Sequence, residues 1–166
     1  QDYDDWSGDY LIAYSTASSV KVFNSWTGDD KGASTVDLGS KLGASGIPSA
    51  EGDPYKAVIA KAGEYYSINI TGVGYIGCES SSNTISRQAT APTAADKDYL
   101  WSLSYKNGIW ISNATHSTRR IQWNASSSIF RCYTGNQKEL TLYRRTSSGG
   151  TVTPTPDPDP TPTPDP

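Results

Sequence analysis

YYSINITGVGYIGC, residues 65–78, decides the fold. Tyr66, Ile68 and Ile70 alternate with Tyr65, Ser67 and Asn69, the two-residue period of a half-buried strand. Thr71 and Gly72 break the run. A second short strand follows through Tyr75 and Ile76. Downstream come NTISRQ (83–88) and YLWSLSY (99–105), again alternating and bounded by turn formers. Upstream, YKAVIA (55–60) leads into the tight turn KAGE (61–64). KNG (106–108) turns the chain at the matching place after residue 105.

Working outward, such runs recur along the chain. Twelve are expected: 9–15, 20–26, 34–39, 55–62, 64–70, 74–79, 84–89, 99–106, 108–114, 119–124, 129–134 and 140–145. Helix formers are scarce, Met is absent, and no helical period competes. The twelve fall into three groups of four. Each group opens on an aromatic-led strand, passes through two shorter ones and ends on an amphipathic one. That spacing predicts an all-β fold, a β-trefoil-like closed barrel of about twelve short strands, with another small β-barrel or a sandwich as the alternative. Parity places Tyr10, Ile12 and Tyr14 on one face. Trp101 with Leu103 and Tyr105, Ile121 with Trp123, Phe130 with Cys132, and Leu140 with Leu142 also face the core. Val58 and Ile59 have opposite parity, so one of them faces out.

The end of the chain is different in kind. TVTPTPDPDPTPTPDP (151–166) carries proline at nearly every second position, and each proline removes an N–H and disfavours helix before it. Residues 149–166 are therefore expected to be a disordered Pro/Thr/Asp-rich linker, polyproline-like, leading to a further domain of the same polypeptide. Residues 1–148 are expected to be one all-β accessory domain. No apolar run is long enough to span a membrane, and no signal peptide is present. The start at Gln1 leads us to expect a removed leader or an upstream domain.

Charge is divided unevenly. Residues 1–53 hold nine acids and three bases, and residues 54–150 hold five acids and eleven bases. The first part is thus −6 and the second +6, which leaves residues 1–150 neutral. Such an asymmetry marks either an anionic partner or a solvated surface.

DWSGDYLIAYS (5–15), YYSINITGVGYIGCESSSNTIS (65–86) and SIFRCYTGNQKELTLYRR (128–145) resemble accessory β-modules of secreted multidomain bacterial proteins. Those modules open on a Trp-Ser-Gly-x-Tyr-Leu-Ile strand, carry a Gly-Tyr-(Ile/Leu)-Gly turn near the middle and end on a Leu-Tyr-(Lys/Arg) strand. The resemblance spans about residues 9–145. It implies a non-catalytic module that is secreted, on the cell surface or periplasmic. It implies no ligand, and no catalytic residue carries over. Cys78 and Cys132 lie outside its pattern.

Catalytic constellations are hard to assemble. The single His116 lies in the polar loop NATHSTRR, and no Gly-x-Ser-x-Gly elbow is present. The carboxylates at Asp2, Asp4, Asp5, Asp9, Asp29, Asp30, Glu51 and Asp53 sit in terminal or loop stretches, where solvated acids are ordinary. No enzyme activity and no cofactor are expected. Asp29 and Asp30 in WTGDDKG, and Asp2, Asp4 and Asp5 in DYDD, have no EF-hand spacing for calcium. Cys78 and Cys132 both have inward parity, which fits either one disulfide or two buried thiols.

The remaining signal is aromatic and polar. Flat rings flanked by amides and carboxylates suit sugars. Trp26 with Asn24, Asp29 and Asp30 forms one candidate platform; Trp110 and Tyr133, of outward parity, are further ligand-binding candidates. A glycan is the expected partner. The alternatives are a structural or protein-binding spacer, or an anionic polymer held by Arg119, Arg120, Arg131, Arg144 and Arg145. Nucleic acid is not expected, because residues 1–150 are neutral overall.

Overall fold

In the computed structural model, residues 3–153 are described. Of the expected linker, residues 154–166 lie outside them, as does Asp2. The strands are β1 (Gly8–Ser15), β2 (Val20–Val22), β3 (Ser25–Thr27), β4 (Lys31–Ala33), β5 (Ala57–Ala62), β6 (Tyr65–Ile70) and β7 (Gly74–Gly77). They continue with β8 (Ser86–Gln88), β9 (Trp101–Tyr105), β10 (Ile109–Asn113), β11 (Arg120–Asn124), β12 (Ile129–Tyr133), β13 (Thr141–Arg145) and β14 (Thr151–Val152). All pairings are antiparallel, and the strands form one curled sheet of a predominantly β protein. Its main path runs β14-β13-β1-β5-β6-β9-β10-β11-β12-β4-β3. No helix among the described residues is long and apolar enough to cross a membrane.

The turns follow from backbone chemistry. Ala62 pairs with Tyr65 across a two-residue connection whose first residue, Gly63, has φ +67°. A left-handed first position is what such a hairpin needs to match strand twist. Gly77 has a different reason. A Cβ there would stand 2.5 Å from the Tyr99 ring and 2.7 Å from the Asp98 carbonyl, so only glycine lets β7 approach that segment.

The main core contains Ile12, Ile59, Ile68, Ile70, Trp101, Ile111, Ile121, Phe130 and Leu142, as the alternation predicts. Ile59 is buried and Val58 is 37% exposed, which resolves their opposite parity. Trp101 donates its indole N–H to the Ile76 carbonyl at 3.0 Å, so a fully buried Trp leaves no polar group unpaired.

Several expectations are corrected. The run 20–26 breaks at Phe23 and Asn24 into β2 and β3, because Phe23 turns inward to stack on Phe130 at 4.7 Å. The expected strand 34–39 is a loop with only an isolated bridge from Asp37 to Lys21; the strand forms earlier, as β4, where Gly32 gives Phe23 room. Four short helical turns occur, at 39–41, 49–52, 53–55 and 97–99. β1 is buried on both faces, since a second cluster packs Leu11 and Ala13 with Val20, Val22, Leu38, Ile47 and Tyr143. Tyr143 is buried in that cluster, and Tyr133, of outward parity, is buried as well.

Ordered chain also runs past residue 148. Thr151 donates its N–H to the Ser45 carbonyl, and its hydroxyl accepts from the Ile47 N–H at 2.9 Å. β14 thus clamps the 45–49 loop to β13. Cys78 and Cys132 are buried free thiols, so the disulfide is not formed. Contact with Cys132 holds the Cys78 thiol below its ordinary pKa; Cys132, against Cys78 and buried, is pushed up.

Candidate functional site

The hairpin β3–β4 turns at Gly28-Asp29-Asp30, with Gly28 at φ +60°. Below it, the Trp26 ring rests on Phe23, which in turn stacks on Phe130. Trp26 is therefore anchored through its inner side and half-buried. The β7–β8 connection docks beside this turn when the Ile85 N–H donates to the Asp30 carbonyl at 3.1 Å. A groove of about 400 Å³ results, lined by Trp26, Asp29, Asp30, Glu79, Arg87 and Tyr99 among others. A second cavity of about 640 Å³ continues it past Glu79 and Tyr99 toward Gln88, Asp96 and Asp98.

The polar groups of the groove are ordered by their neighbours. Asp30 accepts from Lys31 Nζ at 2.8 Å and from Arg131 Nη2 at 3.0 Å. The Lys31 hydrogen bond, helped by the Arg131 charge, holds its carboxyl below the usual range. Tyr99 donates its hydroxyl to Glu79 at 2.5 Å. Burial first, and then that carboxylate, push the phenol pKa up, so Tyr99 stays a neutral donor. Arg119 holds the lip of the groove by donating to the Ser81 carbonyl at 2.6 Å and to Asn83 Oδ1 at 2.8 Å. Arg87 lies over the Trp26 ring, 5.0 Å from its centroid.

Of the sequence candidates, Trp26, Asp29 and Asp30 meet here. Asn24 does not: its side chain is engaged at both ends with Thr35, at 2.7 and 2.9 Å. Tyr133 is buried, and its hydroxyl accepts from Asn124 at 3.0 Å. Trp110 is no open platform, because the Arg120 guanidinium stands 3.7 Å from its ring centroid. Arg120 is itself fixed by Glu139 through two hydrogen bonds, at 3.1 and 2.6 Å. Sequence reasoning missed Glu79, Arg87 and Tyr99. Their signal was faint: Glu79 and Arg87 flank the serine-rich turn that follows the opening motif.

The charge halves meet each other. Asp30 pairs with Arg131, Asp53 with Arg145, and Asp9 with Lys56, each acid from the N-terminal third and each base from the remainder. Among the described residues no group of three or more His, Cys, Asp or Glu side chains is placed to hold a metal ion. Neither a family model nor a curated protein matches the chain.

Proposed function

We propose that this β-module binds carbohydrate in the Trp26–Tyr99 groove, without catalysis, as an accessory domain of a secreted or surface bacterial protein. One observation carries the reading: an anchored indole, a neutral phenol, three carboxylates and an arginine border a single open cavity of about 400 Å³. Sugar hydroxyls need such a mixture of donors and acceptors, and sugar C–H faces need a flat ring. The engagement of Arg119, Arg120, Arg131, Arg144 and Arg145 within the protein weighs against a polyanion along the basic half. We also read the curled sheet as a trefoil-like barrel. The support is the bridge from Ile109 to Leu140, which ties β10 to the chain entering β13, a strand already paired with β1.

A glycan array at low and at physiological salt tests the function. Binding is expected to survive physiological salt, because a groove of mixed charge displaces few counterions. Trp26→Ala should weaken it by about tenfold or more, given the stacking worth of an aromatic ring. Trp110→Ala should leave it unchanged. Loss in Trp110→Ala with retention in Trp26→Ala would move the site and end this reading.

A further inference from the structure

The chain has six arginines, and five spend their guanidinium donors inside the protein. Arg87 is the sixth. Its guanidinium makes no hydrogen bond and no ion pair among the described residues; it lies over the Trp26 ring, 5.0 Å from the centroid. This holds although Asp29 and Glu79 line the same groove. Arg87 is exposed, so its charge is hydrated and available.

A guanidinium is a planar fork of five donors that matches an oxyanion at two points. Position over the indole restricts the long side chain and leaves that fork at the mouth of the groove. We propose that Arg87 recognises an oxyanion on the ligand, so that the groove prefers a glycan carrying one singly charged group per ring, a uronate or a sulfate ester. The inference rests on the carbohydrate reading above. Asp29 and Glu79 set its upper limit. Arg131 and Lys31 already offset Asp30, but Asp29 has no such partner among the described residues and Glu79 has only the neutral Tyr99. Any oxyanion there meets both carboxylates, and the repulsion grows with its charge, so a singly charged group is opposed about half as strongly as a doubly charged phosphate while still pairing with Arg87 at close range.

The test is calorimetric binding of the full chain to oligosaccharides in matched neutral, uronate and sulfated sets of the glucose, galactose and mannose series. In at least one series a charged member should bind about tenfold tighter than its neutral counterpart, the size expected for a charge-assisted fork discounted for exposure. Arg87→Ala should erase that margin, and Arg87→Lys should restore part of it. Whether the uronate or the sulfate carries the margin identifies the source of the oxyanion. Equal binding of neutral and charged members, or a margin that survives Arg87→Ala, overturns the proposal and leaves the carbohydrate groove standing. Binding of no member in any series overturns both.

Discussion

Trp110 and Trp26 each carry an arginine on the indole, Arg120 and Arg87, and the two stacks behave differently. At Trp110 the guanidinium is 3.7 Å from the ring centroid, its side chain is only 11% exposed, and Glu139 accepts two of its hydrogen bonds. The ring is capped and the cation is spent. At Trp26 the guanidinium is 5.0 Å away, exposed, and bonded to nothing among the described residues. The lesson is that residue type and strand parity do not separate a structural stack from an open one. The partners of the cation do.

Gly77→Ala should have the largest effect of the substitutions that probe this contrast. The new methyl would press on Tyr99 and on a backbone carbonyl that cannot yield. A loss of about 2–3 kcal/mol is expected from such overpacking, with displacement of the groove phenol; urea melts would report the first and glycan binding the second. A wild-type melt would show that the approach of β7 to Tyr99 is looser than described.

Next come the two arginines themselves. Arg120→Ala leaves Glu139 unpartnered and should cost about 2 kcal/mol, since a hydrogen-bonded, largely buried charge is lost. Arg87→Ala removes only an exposed cation–π contact, worth about 0.5–1 kcal/mol. Equal costs in thermal or urea melts would abolish the distinction drawn between the stacks.

Arg119→Ala should fall between them, at about 1–2 kcal/mol for its lost charged hydrogen bonds. Hydrogen exchange should then quicken selectively in residues 79–84, the lip that Arg119 holds. Uniform quickening across the sheet would argue against a local role.

The smallest effect belongs to Asp30→Asn, and it depends on pH. The folded pKa of Asp30 is depressed, so its contribution is present above the unfolded value of about 3.9 and disappears as pH falls through the folded value. Wild type should therefore melt slightly above Asp30→Asn at pH 7, and the gap should close on acidification. A gap that widened in acid would mean the Lys31 and Arg131 contacts do not stabilise the carboxylate.

Much of the sheet was legible, because a two-residue period with one buried face is a local signal. Tyr66, Ile68 and Ile70 needed only their own alternation to be placed. β1 was half legible: Leu11 and Ala13 look outward-facing until the 38–52 loop folds over them. Of the site, Trp26, Asp29 and Asp30 were legible because they are neighbours in the chain. Glu79, Arg87 and Tyr99 were not, since a 55-residue separation joins Asp30 to Ile85 through one backbone hydrogen bond.

By itself, then, the sequence determined the strand periodicity, the glycine turns, most inward-facing residues and the opposed charges of the two parts, all properties set within a few residues of one another. Only the tertiary structure decided which acid meets which base, which indole is capped and which arginine is left unbonded. Those outcomes depend on distances across the folded sheet, and a charged side chain is available to a ligand only when no partner from a distant strand has taken it first.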